Sequence, residues 1–243
     1  MGFSEKKLSI LNRIKKKYPS FEIKFFLISF ICVSAILFFL ALANEVSGGS
    51  TYTFDRDVLL FFRQPNNLGV PIGNQDVTNA MRDITALGSG TFILLFTLIL
   101  TIYLLLLKRY TTLSFLLLAI IGGVLIELGL KELFGRVRPT IVPHLMNERS
   151  MSFPSGHSFM ATVIYLTIAA FLSRMMHNRK LKIYIVSCAL FLTFIIGVSR
   201  VYLGVHYPTD VMAGWAIGLA WASFCLIILR FYNNRKRDKQ NED

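Results

Sequence analysis

Two histidines, one aspartate and three basic side chains fall within three short segments, and their types are those of an activated nucleophile, a proton donor and an anion clamp. In the last segment His206 precedes Asp210 by four residues. Pro208 suits the first turn of a helix, and Asp210 in that turn favours the positive end of the helix dipole. A near-helical path from His206 therefore brings carboxylate and imidazole together. A carboxylate on one ring nitrogen fixes the tautomer and leaves the other nitrogen as a nucleophile or base.

The middle segment, Pro154-Ser155-Gly156-His157, stands just before an apolar run. Free amides at a helix start, a glycine that admits close backbone approach and a hydroxyl donor together make an anion cradle. His157 at its edge is suited to protonate a leaving oxygen, since an unperturbed imidazole titrates near pH ~6.5. The first segment contributes Lys131 and Arg138, followed by Pro139, and the third adds Ser199 and Arg200. Arginine forks onto two oxygens and lysine acts as a point charge, so three such cations match the charge that phosphoryl transfer spreads over equatorial oxygens. With them present, no metal or other cofactor is required, although His157, His206 and Asp210 as a metal-binding set is a second reading of the same residues.

The elements that must hold these residues are apolar. The 243 residues are 54% hydrophobic with a mean hydropathy of +0.56, more apolar than one water-soluble core accommodates. Six runs approach the length of roughly 20 residues that a helix needs to cross a bilayer: 25–43, 91–107, 111–130, 158–173, 183–198 and 211–229. The expected fold is all-α, an integral membrane bundle of six transmembrane helices in one domain (25–230), with a basic leader (1–24) and a basic tail (231–243). The Ala41-Leu42-Ala43 triplet resembles a signal-peptidase site, but the charged leader and long apolar run predict a retained helix.

Basic residues are retained on the cytoplasmic side during insertion. Eighteen of the 26 lie in the leader, the turns after the second and fourth runs, and the tail, so both termini are expected to be cytoplasmic and the three segments to face outward. Lys131, Arg136, Arg138, Arg149 and Arg200 then gather on the outer side, where an anionic substrate is the most direct reason for them. The net charge of +12 reads as topology plus attraction to anionic headgroups, not as nucleic-acid binding.

The three segments, as Lys-x6-Arg-Pro, Pro-Ser-Gly-His and Ser-Arg-x5-His-x3-Asp, resemble without departure the signature of the type 2 phosphatidic acid phosphatase family. The same signature occurs in soluble vanadium haloperoxidases, against which six membrane runs argue. The resemblance implies a metal-independent membrane phosphatase acting on a phosphorylated lipid at the outer face of a bacterial cell membrane. It implies that His206 attacks phosphorus and becomes a phosphohistidine, that Asp210 orients it and that His157 protonates the leaving group. Lys131, Arg138, Ser155, Gly156 and Arg200 then hold the phosphoryl oxygens, with Pro139, Pro154 and Ser199 as supporting positions. Bacterial members acting on phosphatidylglycerophosphate look most similar, with phosphatidic acid and undecaprenyl diphosphate as alternative substrates. A lipid transporter or binding protein is the reading from another class, and it sits poorly with ionisable groups at helix ends.

Other positions carry plainer expectations. Glu127, four residues before Lys131, is expected to neutralise and position its ammonium. Arg136 and Arg149 lie off the signature and read as interfacial anchors, and His144 and His177 as solvated residues without partners. Cys32, Cys188 and Cys225 read as small buried hydrophobes. The Gly214, Gly218 and Ala222 stripe reads as a close helix contact inside the bundle, and residues 54–63 as a short helix in the membrane interface.

Overall fold

The computed structural model describes residues 23–148 and 150–240, so most of the basic leader and Arg149 lie outside it. Eight helices appear in chain order among the described residues: α1 (Ile23–Ser47), α2 (Tyr52–Phe61), α3 (Gln75–Ala86), α4 (Gly90–Leu106), α5 (Tyr110–Phe134), α6 (Gly156–Met175), α7 (Arg179–Tyr202) and α8 (Pro208–Gln240). Five of them, α1 and α5 to α8, are long and apolar enough to cross a membrane. α4 is shorter, and reaches the length of a sixth candidate span only together with α3, from which it is bent by 46°. All six expected runs are helical; α4 matches its run to within a residue at each end, and the other five helices reach a few residues or more beyond the apolar stretch. Local signals set several of these ends: the side chains of Ser89 and Asn178 cap α4 and α7 by accepting from Phe92 N and Lys180 N, and Gly135 ends α5 in the left-handed region at φ 55°.

The structure adds detail to two expectations and corrects a third. The outer segment between the first two spans is built, holding α2, α3 and a small antiparallel hairpin of β1 (Arg63–Gln64) and β2 (Asn67–Pro71) around the Pro65-Asn66 turn. The tail remains helical to Gln240, because its Arg, Lys and Gln residues favour helix and no Gly or Pro stops it. His144 is exposed but not without a partner: its Nε2 lies 2.6 Å from the Pro139 carbonyl.

Helix α6 is the axis of the bundle. It packs against α5, α7 and α8, while α1 lies along α8. The outward faces carry large apolar side chains, among them Phe30 and Leu37 on α1 and Leu94, Ile99 and Leu106 on α4, as a lipid-facing surface requires. Lipid is as apolar as these side chains, so contact between helices depends on close packing. A Cβ on Gly214 would lie 2.7 Å from the Ser155 carbonyl oxygen, and one on Gly218 would lie 2.8 Å from that of Phe159. The glycine stripe of α8 thus meets α6 inside the chain, at the helix start that carries the Pro-Ser-Gly-His segment. Phe153 anchors the other side of that segment, stacked 5.9 Å from Phe39 of α1 and edge-on 4.9 Å from Phe134 of α5.

Overpacking a filled contact costs typically about 1–3 kcal/mol. Gly218→Leu is therefore expected to lower the thermal midpoint of the detergent-solubilised protein. Gly129→Leu, where an added Cβ meets nothing within 4 Å, is expected to leave it unchanged or raise it.

Candidate active site

The three segments converge at one end of the bundle, where α5 and α7 finish and α6 and α8 begin. Lys131 is in the last turn of α5, Arg200 in the last turn of α7, Gly156 opens α6 after Ser155, and Pro208 opens α8 just after His206. The Ser155 amide donates to the Asp210 carbonyl at 3.0 Å, fastening the two helix starts together. Gly156 leaves room for the Glu127–Lys131 pair: a Cβ there would displace the Glu127 carboxylate and lie 3.1 Å from Lys131 Nζ. Glu127 holds that ammonium at 2.7 Å, as expected from the spacing of four.

His206 is buried with both ring nitrogens placed. Its Nδ1 lies 3.4 Å from Asp210 Oδ2, and that oxygen also accepts from the Tyr207 amide at 2.9 Å and from the Ser152 hydroxyl. A hydrogen on Nδ1 has a carboxylate to receive it, which leaves the Nε2 lone pair facing Arg138 Nη1 at 3.2 Å. Burial first, then the charges of Arg200, Arg138 and Lys131, push the His206 imidazole well below its usual titration range. It is therefore neutral and able to attack.

Arg200 is fully buried, donating to Thr85 Oγ1 at 3.1 Å and to the Glu148 carboxylate. Arg138 donates to the Ser150 and Val205 carbonyls at 2.7 and 2.6 Å. Lys131, Arg138, Gly156, His157 and His206 all line one cavity of about 440 Å³. Glu127, Glu148 and Ser150 complete its polar side, and the other wall is apolar, with Ile93, Leu94 and Val124. A charged headgroup against the cations and a chain against that wall is the ligand shape this cavity suits. Arg200 is buried behind it, and Ser155 and Ser199 pack in the supporting layer.

Spacing did not reveal what holds Asp210. Arg136, expected to be an interfacial anchor, instead bridges two buried carboxylates, Asp210 at 2.6 Å and Asp55 at 2.8 Å, and lies 4.1 Å over the Tyr207 ring. Burial pulls the Arg136 guanidinium down, but Asp210 and Asp55 outweigh it and its titration is raised. Asp55, on α2, also accepts from the Thr209 amide at 3.0 Å and the Thr209 hydroxyl at 2.7 Å, so the outer segment caps the start of α8. Beside the local Thr51 hydroxyl at 3.2 Å, these two partners, Arg136 and Thr209, are 81 and 154 residues away, beyond any local pattern. For Arg136 a signal existed: two residues from Arg138 in an extended run, it would share that residue's side of the chain.

The PAP2 superfamily matches residues 112–235 of this chain. Phosphatidylglycerophosphatase B of Bacillus subtilis (strain 168) is 35% identical over 192 residues, 77% of this chain and 89% of that protein. The crystal structure of the PAP2-type phosphatidylglycerolphosphate phosphatase from Bacillus subtilis superposes with a TM-score of 0.71 at 31% identity, covering 84% of this chain and 96% of that one. Aquifex aeolicus LpxE gives a TM-score of 0.52 at 30% identity, over 64% of this chain and 88% of its own.

Removing one partner of a buried ionic cluster costs about 3–5 kcal/mol, because the remaining charges stay uncompensated. Arg136→Gln strands Asp55 and Asp210 and is expected to lower thermal stability by that order. Adding Asp55→Asn should recover part of the loss. A double variant no more stable than Arg136→Gln alone would remove the bridging role assigned to this arginine.

Proposed function

Since the chain belongs to the PAP2 superfamily, we propose that this membrane lipid phosphatase hydrolyses phosphatidylglycerophosphate to phosphatidylglycerol, through a phosphohistidine on His206. The observation that carries the mechanism is the setting of His206: buried, its Nδ1 toward Asp210 and its Nε2 toward the cation-lined cavity.

In the first step the Nε2 lone pair attacks phosphorus in line with the bond to the departing lipid oxygen. That bond breaks as the lipid oxygen takes a proton from His157, and Asp210 stabilises the cationic phosphoimidazole. Lys131, Arg138, Arg200 and the amides at the start of α6 neutralise the phosphoryl oxygens, a task that needs no metal in this arrangement. In the second step His157 takes a proton from water, the water oxygen attacks phosphorus, the P–N bond breaks and inorganic phosphate leaves.

The same reading places the site at the outer face of a bacterial cell membrane. Lys108 and Arg109 between α4 and α5, Arg174 in the last turn of α6, and Arg179, Lys180 and Lys182 in the first turn of α7 all lie at the end of the bundle opposite His206, and that basic end is the one expected to be cytoplasmic.

The test is phosphate release from purified protein given phosphatidylglycerophosphate, phosphatidic acid and undecaprenyl diphosphate in parallel. Phosphatidylglycerophosphate is expected to react fastest, with inhibition by vanadate and none by a strong chelator. His206→Ala should reduce turnover by about 10⁴-fold or more. Wild-type turnover in that variant would refute the nucleophile, loss of activity with chelator would restore the metal reading, and faster turnover of either other lipid would reassign the substrate.

A further inference from the structure

Glu148 has no role in the steps above, yet it lies among the groups that perform them. It sits in the connection between α5 and α6, lines the same cavity as His206 and His157, and is largely shielded from solvent. One carboxylate oxygen, Oε1, accepts from Arg200 Nη2, and the other, Oε2, is 3.6 Å from Arg138 Nη2. These are the two guanidiniums assigned above to the phosphoryl oxygens. Other charges near them are already engaged: Lys131 with Glu127, and Asp210 with Arg136. Glu148 is thus the carboxylate that pairs with both arginines, and it presents to each the kind of oxygen a phosphate would present.

A phosphoryl group and Glu148 cannot both engage these arginines without two anions in contact. Binding is therefore an exchange, and its balance depends on charge. A terminal phosphate with close to two negative charges brings one more than the carboxylate it displaces. A phosphodiester brings one, no more than is already there, and gains nothing electrostatically by the exchange. The surrounding bilayer consists of phosphodiester headgroups, and hydrolysis of phosphatidylglycerophosphate produces another, so an unoccupied pair of arginines would collect them.

We propose that Glu148 is a specificity-determining residue: it occupies the phosphate subsite as an internal anion that terminal phosphates displace and phosphodiester lipids do not. The proposal rests on the assignment of Arg138 and Arg200 to the phosphoryl oxygens. It makes selectivity between monoesters and diesters a matter of charge threshold, set before any chemistry at His206.

The test compares wild type, Glu148→Gln and Glu148→Asp in mixed micelles, measuring inhibition of phosphate release by phosphatidylglycerol, a phosphodiester, and by vanadate. Glu148→Gln is expected to lower the inhibition constant for phosphatidylglycerol by tenfold or more and that for vanadate by less. Glu148→Asp, which keeps the charge on a shorter stem, should fall between wild type and Gln, and supplies the comparison if the Gln protein does not fold. An unchanged phosphatidylglycerol constant in folded Gln or Asp protein overturns the proposal. An Arg200→Gln control separates the two assignments: vanadate inhibition that survives it removes the phosphate-binding role of Arg200 itself, whereas loss of vanadate inhibition there with no change in the Glu148 variants removes the threshold alone.

Discussion

A charge buried among apolar helices must find an opposite charge within a few ångströms, because no water is at hand to solvate it. At the active end of this bundle that requirement is met by a chain of alternating sign. Asp55 binds Arg136, Arg136 binds Asp210, Asp210 faces His206, His206 faces Arg138, and Glu148 joins Arg138 to Arg200. Three of these links, Asp55 to Arg136, Arg136 to Asp210 and Glu148 to Arg200, join elements far apart in sequence, so the chain of charges also fastens the outer segment, the α5–α6 connection, the end of α7 and the start of α8 to one another. The neutral imidazole sits at its midpoint, between an anionic arm and a cationic arm.

That placement gives the ring a direction. The anionic side takes the Nδ1 hydrogen, and in the proposed mechanism the cationic side meets the incoming phosphate. Packing supplies the tolerance this needs. Gly156 lets Glu127 and Lys131 approach the start of α6, and Gly214 lets α8 approach Ser155, so the Ser155 amide reaches the Asp210 carbonyl. Binding, attack and proton transfer then proceed from groups already in position, which is where the largest part of the barrier reduction in phosphoryl transfer arises.

The parts legible in the sequence were those encoded locally. Six apolar runs gave the spans, and the intervals Glu127 to Lys131 and His206 to Asp210 gave contacts that helical spacing fixes. The glycine stripe of α8 gave a packing face, now seen against α6. What could not be read were contacts made by the chain's return to itself: Asp55 gives no hint of lying against Thr209, and the spacing of Arg136 from Arg138 gives its side of the chain but not the two carboxylates, Asp55 and Asp210, that it bridges. Arg138 and Arg200 were expected to be cations for phosphate, but their pairing with Glu148 depends on how the α5–α6 connection folds over the cavity. The outer segment was under-read for the same reason, since its hairpin and α3 are short and held by tertiary contacts.

The central claim is that His206 forms a covalent bond to phosphorus from a preset, neutral imidazole. It is tested most directly by quenching turnover of a phosphorus-labelled lipid phosphate in alkali, where a phosphoimidazole survives, and mapping the label by mass spectrometry. The account predicts label on His206, at Nε2. Label on His157, or labelled phosphate released with no residue ever modified, would contradict it.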